Sequence, residues 1–313
     1  MARERKVVEN FRKRATECGI DPKIAAAVAK LLIDYAVRVQ KAPTKRDLEG
    51  KEALVVGGSG RMGQWICRRL ANRGARVRVF DSRGRLEGYD NVKNLGSAVG
   101  HSDIIVIASP PGTCSEDLKR VLECAPKGLV IDICSVKSHI SPQLRDAAAK
   151  GVKIASAHPM FGPNVPTPRG KTVILCDCGS RIGMSRARKL FSGAGARILN
   201  LDLERHDELM AYVLGLPHLC TLLFGASLAR SGESLGELVD AEGPSFSRML
   251  KMSEELSRES IRVYHDIQSL NPNTDRMLSS AARALRDLKK ASLSKDHGMF
   301  KSIMESNRKY LER

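Results

Sequence analysis

The feature that most constrains this chain is a glycine-rich turn set between a strand pattern and a helix pattern. Ala53-Leu54-Val55-Val56 reads as a buried strand and runs directly into Gly57-Gly58-Ser59-Gly60-Arg61-Met62-Gly63. Trp65, Ile66 and Leu70 then recur at helical spacing. Gly58, Gly60 and Gly63 satisfy G-x-G-x-x-G in its strand-turn-helix context: the first glycine serves the tight turn, the second lets backbone approach a pyrophosphate, and the third packs helix on strand. The first turn of the helix then presents its N–H groups to phosphate. Such a unit needs a parallel sheet beside it.

The rest of the chain supplies that sheet. Short β-branched runs at 76–80, 104–108, 129–133, 153–155 and 172–175 alternate with helical patterns, as βαβ units do. The expected fold is α/β, with a Rossmann-type, doubly wound, mostly parallel sheet over residues 47–201. An all-helical segment for substrate binding and dimerisation follows over 202–313, and a helical hairpin over 1–41 precedes the sheet. The hairpin breaks at Gly19-Ile20-Asp21-Pro22, where Asp21 suits an N-cap and Pro22 the first helical position. Ile24, Val28, Leu31, Leu32 and Tyr35 form one apolar stripe, which is expected to pack against something.

The second strand ends in Asp81, about twenty residues past the glycine turn, where an acidic residue bonds a ribose 2′-hydroxyl and favours NAD. Arg83, two residues on, keeps NADP open. Ser59, Arg61, Met62, Ser82, Ser109 and Pro110 complete the expected dinucleotide set with Gly58, Gly60, Gly63, Asp81 and Arg83.

Bulk properties narrow the partners. The formal net charge of +17 attracts anions of any size. Lys and Arg are interspersed with Glu and Asp along helical segments, without zinc-finger spacing or an aromatic-and-basic signature, which argues for solvated helix faces over a nucleic-acid site. The eight cysteines show no C-x-x-C pair, so no metal site is expected. No apolar run approaches the roughly 20 residues of a membrane span, and MARERKVVENFRKR carries no signal-peptide core. A cytoplasmic protein without membrane contact is expected.

Chemistry should collect at the strand ends, where a doubly wound sheet opens its crevice. The runs Asp132-Ile133-Cys134-Ser135-Val136-Lys137-Ser138 and Ser156-Ala157-His158-Pro159-Met160-Phe161-Gly162-Pro163 both follow strands, so Ser135 and His158 can converge. Histidine is the side chain poised to take a hydroxyl proton near neutral pH.

Ser135-Val136-Lys137 followed by His158-Pro159-Met160-Phe161-Gly162-Pro163, behind the glycine turn, resembles the prephenate dehydrogenase family, over a match running from about residue 47 to the C-terminus. The resemblance implies oxidative decarboxylation of prephenate to 4-hydroxyphenylpyruvate, or of arogenate to tyrosine, with hydride passing to NAD or NADP. It implies His158 as catalytic base with Ser135 beside it, and substrate contacts from Arg248, His218, Asn164 and Lys137. An arginine fork can hold a carboxylate bidentately. Asn164 is neutral where some relatives carry an acid, which tips the reading to prephenate. His206-Asp207 is expected to serve a helix N-terminus, whose dipole favours Asp. The family's homodimer, through the helical segment, is expected here too.

Arg3-Glu4-Arg5 and Ala36-Val37-Arg38-Val39-Gln40 resemble the last two helices of the all-helical chorismate mutase family, with Arg3, Glu4 and Gln40 on family site positions. The long first helix of that family has no counterpart. A bifunctional enzyme, a packing hairpin and a chain whose start lies upstream stay open. A rival from another class is a non-catalytic, cofactor-sensing module that binds nucleic acid; the Ser135 and His158 pair argues against it.

Overall fold

A computed structural model describes residues 2–40 and 46–312, with the side chains of 7–35 and 46–312. Helices α1 (Ala2–Glu17) and α2 (Pro22–Gln40) form the expected hairpin. Asp21 accepts from the Lys23 amide at 2.7 Å, so the N-cap reading holds. The expectation that the stripe of α2 is covered does not. Leu31 is 69% exposed, and Ile24, Val28, Leu32 and Tyr35 are exposed as well. Two helices can bury only their mutual contact, through residues such as Ala15, Ala26 and Ala29, and the opposite side of each stays open.

The sheet begins with β1 (Glu52–Val56), α3 (Arg61–Asn72), β2 (Arg76–Phe80), β3 (Asp90–Asn91) and α4 (Leu95–Gly100). It continues with β4 (Ile104–Ile107), α5 (Pro111–Glu123), β5 (Leu129–Asp132), α6 (Ser141–Ala149) and β6 (Ile154–Pro159). It closes with β7 (Thr172–Asp177), α7 (Arg181–Ser192) and β8 (Arg197–Asp202). The strand order is β3-β2-β1-β4-β5-β6-β7-β8. All neighbours pair in parallel except β6 and β7. The connection reverses direction at β1, whose two neighbours are β2 and β4, and this switch point opens the ligand crevice at the strands' carboxyl ends.

Burial follows from composition. Every residue of β4, β5 and β6 is buried, as expected of apolar runs in a sheet covered on both faces. On one face α3 and α7 pack Trp65, Ile66, Leu70, Leu190 and Phe191 against the sheet. On the other, α4, α5 and α6 contribute Val99, Leu118, Val121 and Leu144.

The chain then turns helical: α8 (Leu203–Met210), a single π-turn over Ala211–Gly215, and α9 (Leu216–Ala229) run on without a break. They are followed by α10 (Leu235–Asp240), α11 (Pro244–Ser257), α12 (Ile261–Ser269), α13 (Thr274–Leu293) and α14 (His297–Leu311). The continuous stretch Leu203–Ala229 spans 27 residues and contains a window of mean hydropathy 1.7. This corrects the sequence expectation: by length and composition one helix could cross a membrane. The π-turn joins two shorter patterns into one long helix. Its first turns are tied into the sheet, with Leu203 and Met210 in the core and a buried carboxylate at Asp207. Beyond Leu216, the buried residues among those described are Thr221, Asp266, Ile267, Asn271, Met277 and Ala291.

Candidate active site

The glycine turn lies at the switch point. Gly57 has φ +78°, and a Cβ there would meet the Ser109 amide nitrogen at 2.8 Å. The left-handed position therefore falls on Gly57, one residue before the predicted turn glycine. A methyl group on Gly58 would meet Val79 Cγ1 at 2.7 Å, and one on Gly63 would overlap the Gly57 carbonyl oxygen. Gly60 caps α3 without a side-chain hydrogen bond, so no side chain competes for the N–H groups of that first turn.

Beside the turn is a cavity of about 310 Å³, lined by Gly57, Asp81, Ser82, Arg83, Ser109 and Pro110 together with Arg120 and Arg262. Asp81 accepts from the Ser59 amide at 3.0 Å, the Ser59 hydroxyl at 2.5 Å and the Arg83 amide at 2.9 Å. A carboxylate offers about four acceptor positions, so one is left for a ribose hydroxyl. The Arg83 guanidinium is 3.9 Å from Asp81 and lies over Gly60. Met62 packs its side chain on the sheet, leaving only its amide for phosphate. Arg61 pairs with Glu259, in the link between α11 and α12, across the crevice. These residues fit a dinucleotide: the glycines keep space that any Cβ would fill, and the uncapped helix start matches a pyrophosphate.

β5 and β6 are parallel neighbours with Asp132 opposite Ser156, so the loop carrying Ser135 and the strand end carrying His158 emerge side by side. Ser135 is half-buried. His158 is buried, and its ring is oriented by residues from another element. His158 Nδ1 lies 2.9 Å from His206 Nε2, and His206 Nδ1 lies 2.7 Å from Asp207 Oδ1. Asp207 also accepts from the amides of Lys137 and Ser138 and from the Ser138 hydroxyl, at 2.6 to 3.0 Å. The His206-Asp207 pair of α8 thus serves the centre of the molecule, not a helix terminus as the dipole argument predicted. Burial drives the His158 pKa well below that of an ordinary histidine, with His206 and the Lys137 charge adding to the effect, so the ring is neutral at physiological pH and keeps one nitrogen lone pair free.

Lys137 corrects a second expectation. Its side chain is fully buried, donating to Asp132 at 2.5 Å and to the Ala157 carbonyl at 2.8 Å. An ammonium so enclosed cannot reach a substrate; it fixes the β5 loop beneath His158. The loop after His158 is held by a residue that motif reading overlooked. Trp65 of α3 donates its indole N–H to the Val165 carbonyl at 2.6 Å and packs edge-on against Phe161, with ring centroids 5.1 Å apart. Asn164 is exposed on that loop.

His218 of α9 lies against Tyr264, the rings tilted with centroids 4.3 Å apart, and burial lowers its pKa. Its Nδ1 is buried without a partner among the described residues. Arg248 is exposed on α11, which packs on α9, and makes no ion pair among the described residues. Neither enters the hydrogen-bond network of His158.

Residues 79–200 match the family described as prephenate dehydrogenase, nucleotide-binding domain. This match to the prephenate dehydrogenase family covers less than half of the chain. A probable arogenate/prephenate dehydrogenase of Methanocaldococcus jannaschii is 26% identical over 82% of this chain, which spans 60% of that relative's length. A 4-amino-4-deoxyprephenate dehydrogenase of Streptomyces pristinaespiralis is 29% identical over 80% of this chain and 88% of its own. The crystal structure of prephenate dehydrogenase from Aquifex aeolicus with hydroxyphenyl propionate and NAD+ shares the fold: TM-score 0.68 at 19% identity, over 85% of this chain and 99% of that one. The matched residues include His158, Ser135 and Asp81; the glycine turn precedes them.

Proposed function

We propose that this chain is an NAD-dependent prephenate dehydrogenase that converts prephenate to 4-hydroxyphenylpyruvate and carbon dioxide. The observation that carries the reading is His158, a buried neutral histidine at a strand end beside the dinucleotide crevice. The glycine turn and Asp81 would hold NAD, and the bound nicotinamide would accept the hydride from the ring carbon bearing the hydroxyl.

His158 takes the hydroxyl proton as that hydride leaves, with Ser135 orienting the hydroxyl. The ring carboxylate then departs as carbon dioxide, its bonding pair aromatises the ring, and His158 returns the proton to the phenolate oxygen. Arg248, with no anionic partner among the described residues, is suited to hold a substrate carboxylate, and His218 lies on the adjoining helix. Asn164 brings no negative charge for an amino group, which favours prephenate over arogenate.

The helical segment is proposed to form a homodimer, because the faces of α9, α13 and α14 leave Leu222, Leu223, Leu285, Leu293 and Met304 exposed, more apolar surface than an isolated domain normally shows to water. Residues 1–41, 47–201 and 202–313 are proposed as its three parts, the first a mutase-like hairpin whose Arg3, Glu4 and Gln40 side chains lie outside the described ones. The enclosed histidine network favours catalysis over a cofactor-sensing, nucleic-acid-binding role.

A two-by-two assay, prephenate or arogenate against NAD or NADP, tests the reading by absorbance of the reduced nicotinamide. Turnover is expected to be fastest with prephenate and NAD; preference for arogenate would overturn the substrate assignment, and no turnover in any arm the enzymatic one.

A further inference from the structure

We infer that His206 and Asp207 are positioning residues that set the tautomer of His158, leaving the lone pair on Nε2 where a substrate proton can be taken. The inference rests on His158 as the base, and it follows from which atoms can donate. Asp207 is fully buried, and although burial alone would raise its pKa, the hydrogen bonds from His206 and Ser138 outweigh that and keep it ionised. An ionised carboxylate only accepts. The His206 nitrogen 2.7 Å from it must therefore carry hydrogen, so His206 is the Nδ1–H tautomer.

A neutral imidazole has one N–H, which leaves His206 Nε2 with a lone pair. That atom faces His158 Nδ1 at 2.9 Å, so His158 must donate there, and its own Nε2 is bare. No double protonation intervenes, since burial pushes both rings toward the neutral form. The order of protons is thus dictated from Asp207, two rings away from the reacting hydroxyl. Asp207 is itself anchored to the Lys137 and Ser138 amides, next to the proposed Ser135. One carboxylate therefore aligns the base and the loop that faces it.

Asp207→Asn tests this with little change of shape. The amides of Lys137 and Ser138 require an acceptor, so the Asn oxygen turns to them and its NH₂ faces His206. His206 must then switch to Nε2–H, and His158 to the Nδ1 lone pair with a protonated Nε2. The measurement is ¹⁵N NMR of histidine-labelled protein without substrate, joined to steady-state kinetics. Wild type should show a non-protonated His158 Nε2, and Asp207→Asn the reversed pattern. Its kcat should fall by roughly 10²-fold or more, the scale of losing a general base, while KM changes only a few-fold.

A protonated Nε2 in wild type, or an unchanged His158 pattern in Asp207→Asn, would overturn the inference. If Asp207→Asn does not fold, the wild-type spectrum decides by itself. If the tautomers follow this scheme but no substrate turns over, the relay stands and the proposed reaction fails.

Discussion

At the scale of single residues, the site depends on buried polar groups whose partners come from distant parts of the chain. The Asp132–Lys137 pair is the clearest case, with both side chains fully buried and the ammonium also held by the Ala157 carbonyl. Replacing one partner strands the other charge in the interior, which costs about 3–5 kcal/mol. Lys137→Met should therefore lower the unfolding free energy by that amount, seen as a lower urea midpoint at unchanged slope, even though it keeps the side chain's length. A loss below about 1 kcal/mol would show that the pair matters little to stability. The placement of His158 and Ser135 at strand ends is legible in sequence because they sit in a compact motif after strands. Lys137 was legible as part of the motif yet misread, since only the fold shows its amine turned inward to Asp132. His206 and Asp207 were misread for a related reason. Asp near a helix start has a local explanation, whereas its contacts to Lys137 and Ser138 reach across 70 and 69 residues.

At the scale of elements, the glycine turn ties strand to helix through contacts that leave no room for a side chain. Gly63→Ala would place a methyl group against the Gly57 carbonyl, and relieving it must move α3 away from β1. The expected cost is about 1–3 kcal/mol of stability, with a loss of at least about tenfold in dinucleotide affinity as the phosphate-facing amides shift. Calorimetric titration with NAD measures the second effect, and wild-type affinity would contradict this account of the turn. The interior strands are readable because their apolar runs are continuous: 76–80 coincides with β2, the runs 53–56, 104–108, 129–133 and 172–175 fall within two residues of β1, β4, β5 and β7 at either end, and 153–155 stops four residues short of the end of β6. β8 was missed because it is a half-exposed edge strand, with polar residues interrupting Ile198, Leu199 and Leu201. The π-turn over Ala211–Gly215 left no local signal either. It is stabilised from outside, by Gln268 donating to the Gly215 carbonyl at 2.9 Å and by Met277 packing against Gly215.

At the scale of the whole molecule, the sheet presents the dinucleotide turn and His158 on one edge, while α8 reaches back from the helical segment to orient the histidine. The proposed catalysis and the joining of the two segments would therefore share the same hydrogen bonds, from Asp207 to the β5 loop and from Asn271 to the Asp207 carbonyl. The exposed apolar faces of the hairpin and of α9 to α14 are the part least legible in sequence, because a periodic stripe shows that a face is apolar and not what covers it. The central claim, that His158 is the base of a dehydrogenase reaction, is tested most directly by His158→Asn, comparing turnover of prephenate and NAD with NAD affinity in the same preparation. The account predicts NAD affinity within about twofold of wild type and kcat lower by roughly 10² to 10⁴. A variant that turns over at the wild-type rate would contradict it.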